Sequence, residues 1–203
     1  MSNIVLVRQG NAFPCRYVTM LIEMLEEHAK GHDVITLSDE PETPGLVVPL
    51  TQSLQGWWAK IELFAPWNRF LRPFLYLDLD TYVLGDISDI LDWRPDRLAM
   101  LSDFYVPKAL ASGVMVVPEG EDWIWHRFNQ HKTHYLGMAG GDQDCLADCC
   151  PSAYRLQDHF GGITSYKVHG ADSGRIVCFH GQPKPHTASD KHPWVKDVWQ
   201  RYA

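Results

Sequence analysis

Two aspartates separated by one leucine, Asp78 and Asp80, follow a short apolar run with strand character, residues 74–77 (FLYL). Side chains two positions apart on a strand point to the same side, so both carboxylates are expected to project where a buried strand emerges into a cleft. Carboxylates held this close repel each other unless a cation lies between them. Divalent ions such as Mn²⁺ or Mg²⁺ accept oxygen ligands and bridge to phosphate oxygens. The pattern therefore predicts a metal–diphosphate site, although the same triplet also occurs in solvated turns.

A second segment that could bind a diphosphate is residues 179–186 (FHGQPKPH). His180 ends a strand-like run, Gly181 permits a close backbone turn, and Lys184 lies between two prolines that restrict its loop. Imidazole is a suitable third ligand for a transition ion, and the lysine ammonium is a point charge suited to phosphate. Taken alone, these side chains also fit an ordinary strand-end histidine and a solvated cation. Combined with the Asp-x-Asp triplet, they predict a ring of charges around a diphosphate.

The elements that position these residues follow from the hydrophobic pattern. Residues 3–7 form an apolar, β-branched run, a helical pattern begins after Pro14 and ends near Gly31, and residues 33–37 form a second strand. A strand–helix–strand opening predicts a parallel pair and an α/β domain. Residues 163–168 and 176–179 are predicted as strands that close the sheet. The chain of 203 residues fits one domain, 1–203, with an extended tail from about residue 187.

Composition narrows the classes of partner and compartment. The formal net charge of −7 argues against a nucleic-acid partner, for which a clustered basic surface is expected. No apolar run is long enough to span a bilayer, and residues 1–10 lack the features of a signal peptide. The five cysteines are an odd number without framework spacing, which fits a reducing compartment. We therefore expect a cytoplasmic protein without a transmembrane segment.

Four segments in order along the chain resemble the motifs of glycosyltransferase family 8, which includes glycogenin and bacterial lipopolysaccharide galactosyltransferases. They are residues 75–81 (LYLDLDT), 112–115 (SGVM), 141–144 (GDQD) and 179–185 (FHGQPKP). Residues 56–64 (GWWAKIELF) and 165–167 (SYK) resemble a compact branch of such enzymes from bacteria and phages. The resemblance extends from the first strand to about His186. It implies a GT-A fold, in which helices flank a central mixed, mostly parallel sheet.

The resemblance also implies a reaction: transfer of a sugar from a nucleotide-sugar donor, usually a UDP-sugar, to a glycan or other hydroxyl acceptor, with retention of configuration and with Mn²⁺ or Mg²⁺. By position, Asp78, Asp80 and His180 would hold the metal, and Lys184 would contact the diphosphate. Asp142 would hydrogen-bond the donor sugar, and Gln143 would lie near the reacting carbon. The remaining residues expected to bind the donor are Val7, Arg8, Gln9, Tyr17, Lys60, Leu79, Ser112, Gly113 and Gly181.

Some of these assignments have a second interpretation, and one residue departs from the family's pattern. Tyr17 could stack near the uracil, but its helical spacing fits a core role equally well. Ser112 stands where the family usually has asparagine. Asp142 and Gln143 begin a predicted helix, residues 142–150, and an acidic residue is also favoured there by the helix dipole.

Other functions and roles remain open from the sequence. A haloacid-dehalogenase-type phosphatase also has an apolar strand ending in Asp-x-Asp, with Asp78 as the nucleophile. The match is poor, because Thr81 and Tyr82 replace its usual glycine and threonine.

A non-catalytic nucleotide-sugar-binding protein would carry the same site without turnover. Of Trp57 and Trp58, we expect one in the core and the other exposed, where it could stack on a sugar ring.

Overall fold

The triplet Asp78-Leu79-Asp80 follows a fully buried strand in a computed structural model of the protein, which describes residues 3–170 and 174–202. Met1 and Ser2, part of the segment searched for a leader, lie outside the described residues. The strands are β1 (Asn3–Arg8), β2 (Val34–Ser38), β3 (Leu46–Pro49), β4 (Phe74–Leu77), β5 (Thr81–Val83), β6 (Ala99–Ser102), β7 (Leu110–Val117), β8 (Tyr154–Arg155), β9 (Ile163–Ser165) and β10 (Ile176–Cys178).

Helices lie between and after these strands. The α-helices are α1 (Cys15–His28), α2 (Ser88–Asp92), α3 (Asp122–Gln130), α4 (Lys132–Leu136), α5 (Asp142–Cys149), α6 (Leu156–His159), α7 (Tyr166–His169), α8 (Pro185–Ala188) and α9 (Pro193–Arg201). Two 3₁₀ helices, Gly56–Phe64 and Pro66–Leu71, precede β4. Within residues 3–170 and 174–202, no helix is both long and apolar enough to cross a bilayer.

The central sheet has seven strands in the order β3-β2-β1-β4-β7-β6-β8. Strands β3, β2, β1 and β4 are parallel, whereas β7 is antiparallel to both β4 and β6. The predicted fold class, an α/β domain with a mixed, mostly parallel sheet flanked by helices, is confirmed. The parallel arrangement brings the carboxyl ends of β1 and β4 to the same edge, where ligands bind in open α/β sheets.

Alternation along β4 shows how the sheet is covered on both faces. Leu75 and Leu77 join a core cluster that includes α1, whereas Phe74 and Tyr76 join the cluster beneath the 3₁₀ helix Gly56–Phe64. All four side chains are at most 2% exposed. A strand buried on both faces cannot alternate with polar residues, and this explains the unbroken apolar run before Asp78.

The predicted closing strands differ from the structure in two ways. Strand β9 ends at Ser165, and α7 begins at Tyr166, because the Ser165 hydroxyl accepts the backbone N–H groups of Lys167 (3.2 Å) and Val168 (3.3 Å) as an N-cap. Strands β9 and β10 also do not extend the main sheet. They form a separate sheet with β5, in the order β5-β10-β9.

The expected extended tail is also wrong in its local structure. Residues beyond 187 include α9, which begins with Pro193 at its first helical position, where the missing N–H costs nothing. Val195 of this helix is fully buried in the α1 side of the core. The C-terminal segment is therefore packed against the domain.

Candidate active site

A cavity of about 490 Å³ opens beside the carboxyl ends of β1 and β4. Its volume lies within the range of small-molecule sites. The structure brings most of the residues predicted from the sequence into its lining: Val7, Gln9, Lys60, Asp78, Leu79, Asp80, Ser112, Gly113, Asp142, Gln143, His180, Gly181 and Lys184. Segments far apart in the chain thus converge on one opening.

Asp78 is fixed on three sides. Its carboxylate accepts a hydrogen bond from the Tyr76 hydroxyl (2.6 Å) and lies 3.0 Å from the Lys60 ammonium. Its backbone N–H donates to the carbonyl of Gly113 on β7 (2.8 Å). Gly113 also leaves room here, because an added Cβ would lie 3.3 Å from the Asp78 carboxylate and would require a small shift of that side chain. The loop after β4 is therefore held directly against β7.

Lys60 is a buried cation that joins two separate segments of the site. Its ammonium lies 3.0 Å from Asp78, 2.9 Å from Asp142 and 3.1 Å from the Ser112 hydroxyl, which uses its three donors. Burial alone would lower the pKa of Lys60, but the neighbouring Asp142 and Asp78 carboxylates raise it above its usual value. Lys60 therefore remains charged at neutral pH.

Asp142 begins α5, and its carboxylate accepts a hydrogen bond of 2.6 Å from Ser112. The helix follows Gly141, whose φ of +64° favours glycine, and a Cβ there would overlap the indole of Trp57. Ser112, which stands where the family usually has asparagine, thus has a hydroxyl that links Lys60 to Asp142. Serine in place of asparagine therefore still provides a polar side chain that contacts Lys60 and Asp142.

Asp80 is 6% exposed and forms an ion pair with Lys184. Burial and the nearby negative charge of Asp78 raise the pKa of Asp80 to about 6, and Lys184 offsets part of this effect. Burial is the larger cause of this raised pKa, and the charge of Asp78 adds to it. Lys184 reaches the cavity from the loop before α8, where Pro185 occupies the first helical position.

The His180 ring is held at the cavity wall by three contacts. Its Nε2 lies 2.7 Å from the Ser165 hydroxyl, and the ring stacks on Phe104 with a centroid distance of 5.5 Å and meets Tyr105 edge-on at 5.4 Å. Burial, followed by the positive charge of Lys167, lowers the pKa of His180 below its usual value. The neutral imidazole that results is the form that binds metal ions.

Main-chain pairing connects this histidine to the aspartates. Strand β10 is antiparallel to β5, with Cys178 opposite Thr81. The N–H of Phe179 donates to the carbonyl of Asp80 at 3.0 Å. His180 and Asp80 thus follow and precede two paired strands, and their relative position is set by backbone hydrogen bonds.

The donor types of this set fit a divalent cation. Two carboxylates and a neutral imidazole are ligands that Mn²⁺ accepts, and the repulsion between Asp78 and Asp80 would be relieved by a cation. In the structure, Lys60 and Lys184 provide the counter-charges to these carboxylates. Among the described residues, no group of three or more His, Cys, Asp or Glu side chains is arranged to hold a metal ion.

Two predicted donor-binding residues lie outside the cavity lining. Arg8 is buried and donates to the carbonyl of Phe13 (3.0 Å) and to the Thr43 hydroxyl (2.9 Å). Tyr17 is 3% exposed, hydrogen-bonds His186, and packs edge-on against Phe13 with a centroid distance of 5.0 Å. The position of Tyr17 thus fits a core role and not direct contact with a nucleobase. Both residues contact Phe13, which lines the cavity, and so they position its wall.

Several lining residues were not predicted from the sequence. Phe13 follows β1, and its position between the first strand and α1 was a usable signal, because loops at the carboxyl ends of strands form such sites. Asp103 and Phe104 follow β6, whose place in the sheet depends on long-range pairing that the sequence did not reveal. Trp57 lines the cavity and is 61% exposed, whereas Trp58 packs against Phe128, as expected for the pair.

Solved structures share this architecture. The glycosyltransferase GlyE of Streptococcus pneumoniae TIGR4 matches with a TM-score of 0.70 and 15% identity over 100% of this chain and 60% of GlyE. The galactosyltransferase LgtC, solved with donor and acceptor sugar analogues, matches with a TM-score of 0.68 and 13% identity over 98% of this chain and 95% of LgtC. The chain has a GT-A fold. Another GT-A match, the bifunctional glycosyltransferase WbbM, has a TM-score of 0.66 and 12% identity over 98% of this chain.

The matches differ in how much of each protein they cover. The chain spans 60% of the GlyE chain and 51% of the WbbM chain. No protein-family model matches the sequence, and no curated protein matches it. The GT-A assignment thus rests on the three-dimensional arrangement of the strands and helices.

Proposed function

We propose that this protein is a metal-dependent glycosyltransferase that moves a sugar from a UDP-sugar to a hydroxyl acceptor. One observation carries the proposal: Asp78, Asp80, His180 and Lys184 line a single cavity at the strand ends of a GT-A fold. The structural neighbour LgtC, a galactosyltransferase solved with donor and acceptor sugar analogues, supports the same class of reaction.

The diphosphate end of the donor would lie between the acidic pair and Lys184. Asp78, Asp80 and His180 are the residues that would hold Mn²⁺ or Mg²⁺. When bound there, the ion supplies positive charge to the diphosphate oxygens. Lys184, whose side chain is 22% exposed, adds a second positive charge at the cavity wall. Charge accumulates on the diphosphate as the sugar–phosphate bond breaks, so a fixed cation stabilises the transition state more than the ground state.

The sugar end of the donor would lie toward Asp142 and Gln143. Asp142 is oriented by Ser112 and Lys60, so it presents a fixed acceptor for sugar hydroxyls. Gln143 follows it on α5 and also lines the cavity. We propose that these two residues place the anomeric carbon for an acceptor hydroxyl, an effect of orientation more than of proton transfer. Retention of configuration is part of this proposal and rests on the family resemblance.

The nucleoside end would lie beside β1. Val7 and Gln9 line the cavity there, together with Phe13. The Gln9 side chain accepts the N–H of Gly56 (2.7 Å) and donates to Asp39 (3.0 Å). Gln9 therefore ties the end of β1 to the start of the 3₁₀ helix that carries Lys60, and a nucleobase here would contact a wall that is already ordered.

The experiment that tests this function is a screen of nucleoside diphosphate sugars for slow hydrolysis in the presence of Mn²⁺. We expect one donor class to release its nucleoside diphosphate, and we expect the same diphosphate with Mn²⁺ to raise the melting temperature. If no nucleoside diphosphate stabilises the protein with either cation, the assignment is wrong. Stabilisation without release from any donor, even with acceptors present, would indicate a non-catalytic binding protein.

A further inference from the structure

Trp57 differs from its neighbours on the 3₁₀ helix Gly56–Phe64. The side chains from Ala59 to Phe64 are all buried, whereas Trp57 is 61% exposed and lines the cavity. Exposing an indole forgoes the free energy that its burial would supply. A large aromatic side chain held at the mouth of a cavity is a feature expected of a binding surface.

The indole is also backed by the main chain on one side. It packs against the backbone of Gly141, where any Cβ would overlap its ring. Gly140, the preceding residue, also lines the cavity, and its N–H donates to the Asp144 carboxylate at 2.9 Å. The backbone before α5 is therefore ordered by its own helix, and it supports Trp57 on one side. One face of the indole is therefore backed by this segment, which restricts the ring and lowers the conformational entropy lost on binding.

The charges of the cavity indicate which substrate Trp57 faces. Asp80, Lys60 and Asp142 are at most 6% exposed, and the Asp78 side chain is 34% exposed, so these groups are all less exposed than Trp57. Trp57 lies at the solvent side, next to the segment that leads into Asp142. The second substrate must approach from solvent and bring a hydroxyl to this same segment.

We propose that Trp57 is the stacking platform for a pyranose ring of the acceptor, so that the acceptor is a carbohydrate. This inference rests on the proposed function, since it names the acceptor of that reaction. The C–H face of a pyranose is apolar and flat enough to cover an indole, while its hydroxyls remain at the edge. In this position the ring would present a hydroxyl toward Asp142 and Gln143.

The first test measures binding without catalysis. In a ¹⁵N–¹H spectrum of the protein with UDP and diamagnetic Mg²⁺, the indole N–H signal of Trp57 is identified by its loss in Trp57→Phe. Lactose and the methyl glycosides of glucose and galactose serve as probes. We expect at least one probe to shift the Trp57 signal in a saturable manner. A Trp57 signal that stays unchanged with every one of these probes would overturn the proposal.

The second test measures transfer. Trp57→Ala should raise the KM for a glycoside acceptor by about tenfold or more, whereas Trp57→Phe should recover part of this loss because it retains a stacking ring. Phe70→Ala is the matched control, since Phe70 is 62% exposed on the next 3₁₀ helix and lies outside the cavity lining. An acceptor KM in Trp57→Ala equal to that of Phe70→Ala would contradict the inference.

The two proposals fail in different ways. If a glycoside shifts the Trp57 signal but no donor is ever cleaved, the carbohydrate platform stands and the transferase function is wrong. If donors are cleaved and sugar is transferred only to acceptors without a pyranose ring, the transferase function stands and the platform is wrong.

Discussion

The ammonium of Lys60 lies 2.9 Å from the Asp142 carboxylate, and both side chains are at most 7% exposed. Lys60 also contacts Asp78, so one buried cation compensates two carboxylates. Removing one member of such a group leaves an uncompensated charge away from water, which is far more costly than the pair is stabilising. The interior of the site is thus an electrostatic unit whose members depend on one another.

Replacing Lys60 by methionine should destabilise the protein by roughly 3–5 kcal/mol, because Asp78 and Asp142 lose their buried counter-charge. Urea denaturation measures this change. The double variant Lys60→Met with Asp142→Asn should recover part of the loss, since one unpaired charge is removed. Lys196→Met, at an exposed position of α9, is the control. A Lys60→Met variant as stable as this control would refute the buried-cation role.

Asp78→Asn should abolish the stabilisation that UDP and Mn²⁺ give together, because a neutral amide is a poor ligand for a divalent cation. For the unmodified protein at ligand concentrations of 100 times Kd, the stabilisation should be about 2.7 kcal/mol. Thermal shift with and without Mn²⁺ measures the effect. Asp158→Asn, at an exposed position of α6, should behave as the unmodified protein. Full Mn²⁺-dependent stabilisation in Asp78→Asn would exclude Asp78 as a ligand.

Lys184→Ala should weaken UDP binding by about tenfold to a hundredfold, as expected for the loss of a charged contact to phosphate. Titration calorimetry with Mn²⁺ present measures this affinity. From the sequence, Lys184 also fitted a solvated cation, but the structure pairs it with the buried Asp80. A modest loss of stability without ligand is therefore also expected. Unchanged UDP affinity relative to the exposed control Lys191→Ala would count against the assignment.

The metal-free protein should become less stable between about pH 4 and pH 6 through Asp80. Its pKa is raised from 3.8 to about 6 in the folded state, so the folded protein binds a proton more tightly than the unfolded chain. This contribution is fully present below pH 3.8 and is lost as the pH rises through about 6.

Asp80→Asn removes this titration and provides the control for that pH dependence. Melting curves of both proteins from pH 4 to pH 7, without divalent cations, should show the unmodified protein losing roughly 1–3 kcal/mol relative to the variant. A constant difference across this range would show that Asp80 titrates as it does in the unfolded chain.

The acidic pair was predictable from the sequence because its signal is local. Alternation along a strand places Asp78 and Asp80 on one side, and the apolar run before them indicates a strand buried on both faces. Lys60, in contrast, was identified only by resemblance. Its contacts with Asp78 and Asp142 depend on how a 3₁₀ helix packs against α5, and no periodicity in the sequence encodes this packing.

Two errors in the predicted elements have local causes. Ser165 is a good N-cap residue, and its hydroxyl ends β9 early, although the apolar pattern of residues 163–168 favoured a longer strand. Pro193 followed by Trp194 and Val195 is a helix-start signal that was outweighed by the nearby prolines. Tyr17 illustrates a different difficulty, since helical spacing alone could not separate a wall of the site from the core behind it.

The antiparallel pairing of β10 with β5 connects the proposed cation site to the order of the last strand. The Phe179 N–H is bonded to the Asp80 carbonyl, so fraying of this short ladder would separate His180 from Asp80, two of the residues proposed as cation ligands, without unfolding the main sheet. By linkage, a bound cation would clamp the ladder and slow the hydrogen exchange of its amides. Cation binding and the pairing of β10 with β5 are therefore expected to strengthen or weaken together.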